Sequence, residues 1–170
     1  MTGTESYFKI IMFDFFAFIT ADLIAFMFIL AGAFVKDDFL LVILMTGLPV
    51  TALLVLIYNN NWKNGFSDIG IVNMGHYKYN RFKGLYAALI FQAPSLIWLL
   101  FSVMLKTQGL RSSFKLAHWY MASLYKIMPN YFSLAAFFII AVIIFVSSAG
   151  YVFGYNDISL FKNLAYKKSK

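Results

Sequence analysis

Hydrophobic positions along this chain fall into four long runs, at 10–35, 39–58, 84–105 and 131–155. Each can cross about 30 Å of hydrocarbon at about 1.5 Å rise per residue. Backbone amides find no water partner there, so each run must be a helix. Only "VKDDF" separates the first two, which are therefore predicted to be antiparallel neighbours. The other connections hold most of the polar residues. At 59–83, "NNNWKNGFSDIGIVNMGHYKYNRFK" mixes the turn residues Asn59, Asn60, Asn61, Gly65, Gly70 and Gly75 with a short apolar patch at Ile71 and Val72. That mixture predicts a compact loop with one turn or a short hairpin.

The third connection, 110–129, reads differently. Phe114, Ala117, Met121, Leu124 and Met128 recur at helical spacing, while Lys115, Ser123 and Lys126 lie largely on other faces. The stretch is too polar to span a bilayer. It predicts either an amphipathic helix in the headgroup region, anchored by Trp119, Tyr120 and Tyr125 and stopped by Pro129, or a partly helical linker packed on the bundle. The fold class is thus all-α: a polytopic membrane protein of four transmembrane helices in one domain, with an interfacial segment between helices three and four and a tail at 156–170. No internal repeat is evident.

Composition strengthens this picture. Of 170 residues, 62% are hydrophobic and 12% charged, against about half and about a quarter in soluble domains. Cysteine is absent, which excludes disulfides, thiolate metal sites and cysteine nucleophiles. The "AGA" at 31–33 resembles a signal-cleavage site, but the run before it exceeds the usual h-region of about 7–15 residues and contains two Asp, so it reads as a retained helix. Net charge is +7, with Lys and Arg gathered between the apolar runs, an arrangement that suits anionic lipid headgroups better than nucleic acid. Lys9, the 59–83 stretch (Lys63, Lys78, Arg81, Lys83) and the tail (Lys162, Lys167, Lys168, Lys170) place nine basic residues on one side; Lys36, Lys106, Arg111, Lys115 and Lys126 place five on the other. The positive-inside bias then predicts two cytoplasmic termini in a cell membrane.

Two acids interrupt the first run, Asp14 and Asp22. A charged Asp near mid-membrane costs about 2.5–3.5 kcal/mol on insertion scales, so Asp22 is expected to face protein rather than lipid. At 100° per residue Ala17, Ala21, Ala25 and Gly32 fall within 60° of Asp14 and form a small-residue stripe that admits a neighbouring backbone. Phe13, Phe15, Phe16 and Phe26 lie away from it. The expected partners of Asp22 are Thr51, Gln92, Ser95, Ser147 and Ser148, with which a neutral Asp would form a structural clasp. Asp14, nearer the membrane surface, is expected to reach Arg81 or Lys83. "GYVFG" supplies Gly150 and Gly154 as a GxxxG for helix pairing within the chain or with a partner. Pro49 and Pro94 predict kinks.

His76 and Asp68 share a loop without further ligands, so no metal site is expected. P-loop, GxSxG, HExxH and dinucleotide fingerprints are missing, and no cofactor is implied. An enzyme is disfavoured. "SDIGIVNMGHYKYNRFKGLYAALI" and "GYVFGYNDISLFKNLAYKKSK" resemble small four-helix membrane proteins of low-GC Gram-positive bacteria. In those, a D-x-x-x-x-N-x-G stretch runs into a K-G-L helix start, and a G-Y-x-x-G-Y-x-x-I-S segment precedes a lysine tail. The matching positions are Asp68, Asn73, Gly75, Lys83, Gly84, Leu85, Gly150, Tyr151, Gly154, Tyr155, Ile158 and Ser159. The resemblance implies a cytoplasmic membrane and a shared contact surface on the loop and tail, but no activity. Three readings follow: a subunit or accessory of a larger transport or envelope assembly, a small homo-oligomeric transporter or channel with Asp22 in a polar path, or a lipid-modifying membrane enzyme.

Overall fold

A computed structural model describes residues 3–32, 37–75, 78–105, 108–121, 123–124, 128 and 130–158. The helices are α1 (Gly3–Gly32), α2 (Asp38–Val42), α3 (Leu48–Asn73), α4 (Lys83–Met104), α5 (Gln108–Ala117) and α6 (Phe132–Tyr155), with no strand among the described residues. Four helical stretches are long and apolar enough to cross a membrane: Tyr7–Leu30, Leu40–Asn73, Lys83–Met104 and Phe132–Tyr155. The protein is an all-α polytopic bundle. Ile10, Ala87 and Tyr151 cluster where α1 starts and α6 ends, so these two ends share one face, called here the N-terminal face.

The second span departs most from expectation. Helix continues through 59–73, where the turn residues predicted a loop. Its buried positions Leu53, Ile57, Asn61, Gly65 and Asp68 recur at helical spacing, so one face that is apolar at mid-membrane turns polar without losing contact with the bundle. Upstream, Pro49 cannot donate to the carbonyl of Met45. The chain widens there into a π-turn, Ile43–Gly47, in which Leu48 N–H reaches Ile43 O.

Glycines set the spacing between α3 and α6. A Cβ on Gly154 would fall far inside contact distance of Trp62 O, one on Gly65 would do the same to Tyr151 O, and one on Gly150 would lie 2.9 Å from Tyr58 O. Contacts thus advance together along both helices, which run parallel. The GxxxG is occupied within the chain. Ala17, Ala21 and Ala25 are likewise buried, in a core shared with Leu53, Ile57, Ile140 and Ile143. Gly32 closes α1, and its surroundings lie outside the described residues, as do His76, Tyr125, Pro129 and the chain from Ser159 onward. Phe13, Phe15, Phe16 and Phe26 are exposed on the outer surface, as the lipid-facing side of the stripe requires.

Candidate functional site

The polar side chains of the bundle gather in two layers. The first lies on the side opposite the N-terminal face and is built by α5 and the turn after it. Helix α5 is amphipathic and turns one apolar side chain, Phe114, into the bundle. Phe114 is fully buried, its ring 6.2 Å from both Trp98 of α4 and Phe132 of α6. One turn on, His118 meets Ser95, deeper along α4. The segment therefore descends into the bundle and packs there, as the linker alternative would have it. Ser95, Asp22 and Thr46 each lie about 12–15 Å below the far ends of their helical stretches, counted at about 1.5 Å per residue.

At that depth three tethers form. Tyr120 N–H donates to Asp22 Oδ1 at 3.2 Å. His118 Nε2 lies 3.0 Å from Ser95 Oγ, and its Nδ1 lies 2.9 Å from Phe114 O. The carbonyl can only accept, so Nδ1 carries the proton and the Ser95 hydroxyl donates to Nε2. The hydroxyls of Thr46, in the π-turn, and Ser123 hydrogen-bond to each other. Aromatic contacts surround these bonds: Trp119 stacks on Phe26 at 4.6 Å, and Phe18 meets His118 and Tyr120 edge-on at 5.3 and 5.4 Å. Burial pushes the His118 imidazole below its ordinary pKa and the Tyr120 phenol well above its own. A hydroxyl on a neutral imidazole is half of a nucleophile site. Here a backbone carbonyl, not a carboxylate, backs the ring, and its hydrogen bond is outweighed by burial, so the imidazole stays neutral, and the pair suits tethering better than proton abstraction.

This arrangement corrects the expected cluster around Asp22. Its partner is a backbone N–H of the inserted segment, not Thr51, Gln92, Ser147 or Ser148. Thr51 is exposed and gives its hydroxyl to Gly47 O at 2.7 Å. Ser95 is engaged by His118. Gln92 and Ser147 are buried, and Gln92 Nε2 and Oε1 and Ser147 Oγ have no hydrogen-bond partner among the described residues. Ser148 is half-buried. A backbone donor has no signature in the sequence, since every residue but proline carries one.

The second layer lies toward the N-terminal face and corrects the expected ion pair of Asp14 with Arg81 or Lys83. Asp14 is 1% exposed and accepts from Asn61 Nδ2 at 3.1 Å and Asn60 Nδ2 at 3.4 Å. Arg81 lays its guanidinium over the Phe82 ring at 4.7 Å. Lys83 instead donates to Asp68 Oδ2 at 2.6 Å, and Tyr151 O–H donates to the same oxygen at 2.6 Å. Both charged side chains are 3% exposed. This buried Asp68–Lys83–Tyr151 trio was missed. The signal that points to it is the helical spacing of Asn61, Gly65 and Asp68 continuing that of Leu53 and Ile57, masked by three asparagines and two glycines that read as turn formers. The trio joins the stretch before α4 to the end of α6. Trp62 Nε1–H adds a further tie to Ile158 O at 2.8 Å.

Among the described residues no cluster of three His, Asp or Glu could hold a metal ion. Compared with known proteins, the chain matches no family model, no curated sequence and no solved structure.

Proposed function

We propose that this chain is a non-enzymatic integral membrane protein serving as a subunit or accessory of a larger membrane assembly for transport or envelope work, in a bacterial cell membrane with both termini cytoplasmic. The observation that carries the reading is the fate of five polar groups in the far half of the bundle: Asp22, His118, Ser95, Thr46 and Ser123 are bound to one another's elements as tethers of the inserted segment. Groups spent on internal tethers do not line a pathway. The test is reconstitution of the purified chain in lipid vesicles, with proton and monovalent-cation flux recorded for the native protein and for Asp22→Asn. An accessory gives no flux above empty vesicles, and its native-membrane complex, sized on a gel, is unchanged by Asp22→Asn. Flux by the chain alone overturns the proposal.

A second reading, a small homo-oligomeric transporter, has its own support. Gln92 Nε2 and Oε1, Ser147 Oγ, Asp14 Oδ2 and Asn61 Oδ1 are buried without a hydrogen-bond partner among the described residues, and such groups take water or an ion when they persist in an interior. On this reading the working acid is Asp14 rather than Asp22. Flux abolished by Asp14→Asn but kept by Asp22→Asn selects it.

A further inference from the structure

A groove of about 450 Å³ runs lengthwise between α1 and α3. On α1 its wall is Lys9, Phe13, Phe16 and Thr20, at i, i+4, i+7 and i+11, which is one helix face about 16 Å long. On α3 it is Leu56, Asn59 and Lys63, again one face. The two helices run antiparallel, since Asp14 meets Asn61 while Ala17, Ala21 and Ala25 pack in one core with Ile57 and Leu53. Lys9 and Lys63 therefore fall at the same end, toward the N-terminal face, and Phe16, Leu56 and Thr20 toward mid-membrane. The Thr20 hydroxyl is spent on Phe16 O at 2.8 Å, which leaves the inner end apolar. The groove thus grades from two ammonium groups, through amides, to hydrocarbon.

We propose that this groove is a binding site for one phospholipid with an anionic headgroup. The ammonium groups of Lys9 and Lys63, both exposed, take the headgroup phosphate; the exposed Asn59 amide donates to a glycerol ester carbonyl; an acyl chain lies along Phe13, Phe16 and Leu56. Charge selects the lipid. Asp14, behind the groove wall, is 1% exposed and bonded to Asn60 and Asn61, so it does not oppose the phosphate. The order of groups along the groove is the order of groups along a phospholipid, and the charged end lies at headgroup depth, where juxtamembrane lysines attract anionic lipid. The site stands whether the protein is an accessory or a transporter, because it requires only that the bundle sit in a bilayer.

The experiment is native mass spectrometry of the detergent-purified full chain titrated with phosphatidylglycerol or phosphatidylcholine of equal chain length. One phosphatidylglycerol is expected to stay bound at concentrations where phosphatidylcholine does not. Lys9→Gln/Lys63→Gln should weaken its retention about tenfold or more. Lys78→Gln/Arg81→Gln, which removes the same charge on the same face outside the groove, should not. Leu56→Trp, filling the apolar half, should weaken retention without altering charge, and glycerol 3-phosphate should not displace the lipid, since it lacks the chain. Equal loss in both double variants, equal retention of the two lipids, or displacement by glycerol 3-phosphate overturns the proposal.

Discussion

Lys83 and Asp68 show what burial does to a pair of charges. Two ions that are each 3% exposed have given up most of their hydration, and their attraction offsets this together with the Tyr151 hydroxyl on the carboxylate and the Tyr7 and Tyr151 rings beside the ammonium. Removing one member strands the other. Lys83→Met or Asp68→Leu alone is expected to destabilise the bundle by about 3–5 kcal/mol, whereas the two together should cost much less, a non-additivity read from unfolding of the three variants in detergent. His118 makes a pH argument. Its folded pKa lies below the ordinary value because burial disfavours the imidazolium, so the unfolded chain binds the extra proton and stability falls as pH drops below about 6.5. Trp119 stacks on Phe26 beside it. Acidification should therefore loosen the inserted segment before the helices melt, seen as a change in Trp119 emission in a variant lacking Trp62 and Trp98, and His118→Gln should weaken that pH dependence.

Between elements, spacing is set by atoms that are absent. Helices α3 and α6 approach until backbone meets backbone at Gly65, Gly150 and Gly154, so a single methyl forces them apart. Gly65→Ala and Gly154→Ala are each expected to cost about 1–3 kcal/mol or more by overpacking. Gly70→Ala, where a Cβ meets nothing within 4 Å, supplies the control and should be neutral or mildly stabilising, because alanine favours helix. Thermal unfolding of the three variants in one detergent decides it. The GxxxG was visible as a motif, but its occupant was not: Gly65 stands in a stretch whose local composition reads as a loop. The continuation of α3 through 59–73 was equally hidden, because hydropathy fades at Tyr58 while the helical spacing of buried positions carries on. Local turn propensity lost there to packing against α6.

At the scale of the molecule, the bundle is closed by a segment that crosses nothing. The residues from Gln108 to Met121 leave one membrane span, enter the core and lead to the next, so the far half of the protein is held by Asp22, Ser95 and Thr46 as much as by lipid-facing helices. Asp22→Leu should release the turn by leaving Tyr120 N–H unpaired, at about 1–3 kcal/mol, while Asp22→Asn keeps an oxygen for it. Limited proteolysis at Lys115 should quicken in the leucine variant and not in the asparagine one. The number of spans, their helical state, the common side of the two ends and the inward turn of Asp22 were all determined by the sequence itself, because hydropathy and the cost of an unpaired group in hydrocarbon are summed residue by residue along a helix. Which group answers Asp22, which acid takes Lys83, and where α5 comes to rest were decided only by the tertiary structure. Those choices depend on distances between residues 15 to 98 positions apart, and on a backbone N–H that every residue but proline possesses.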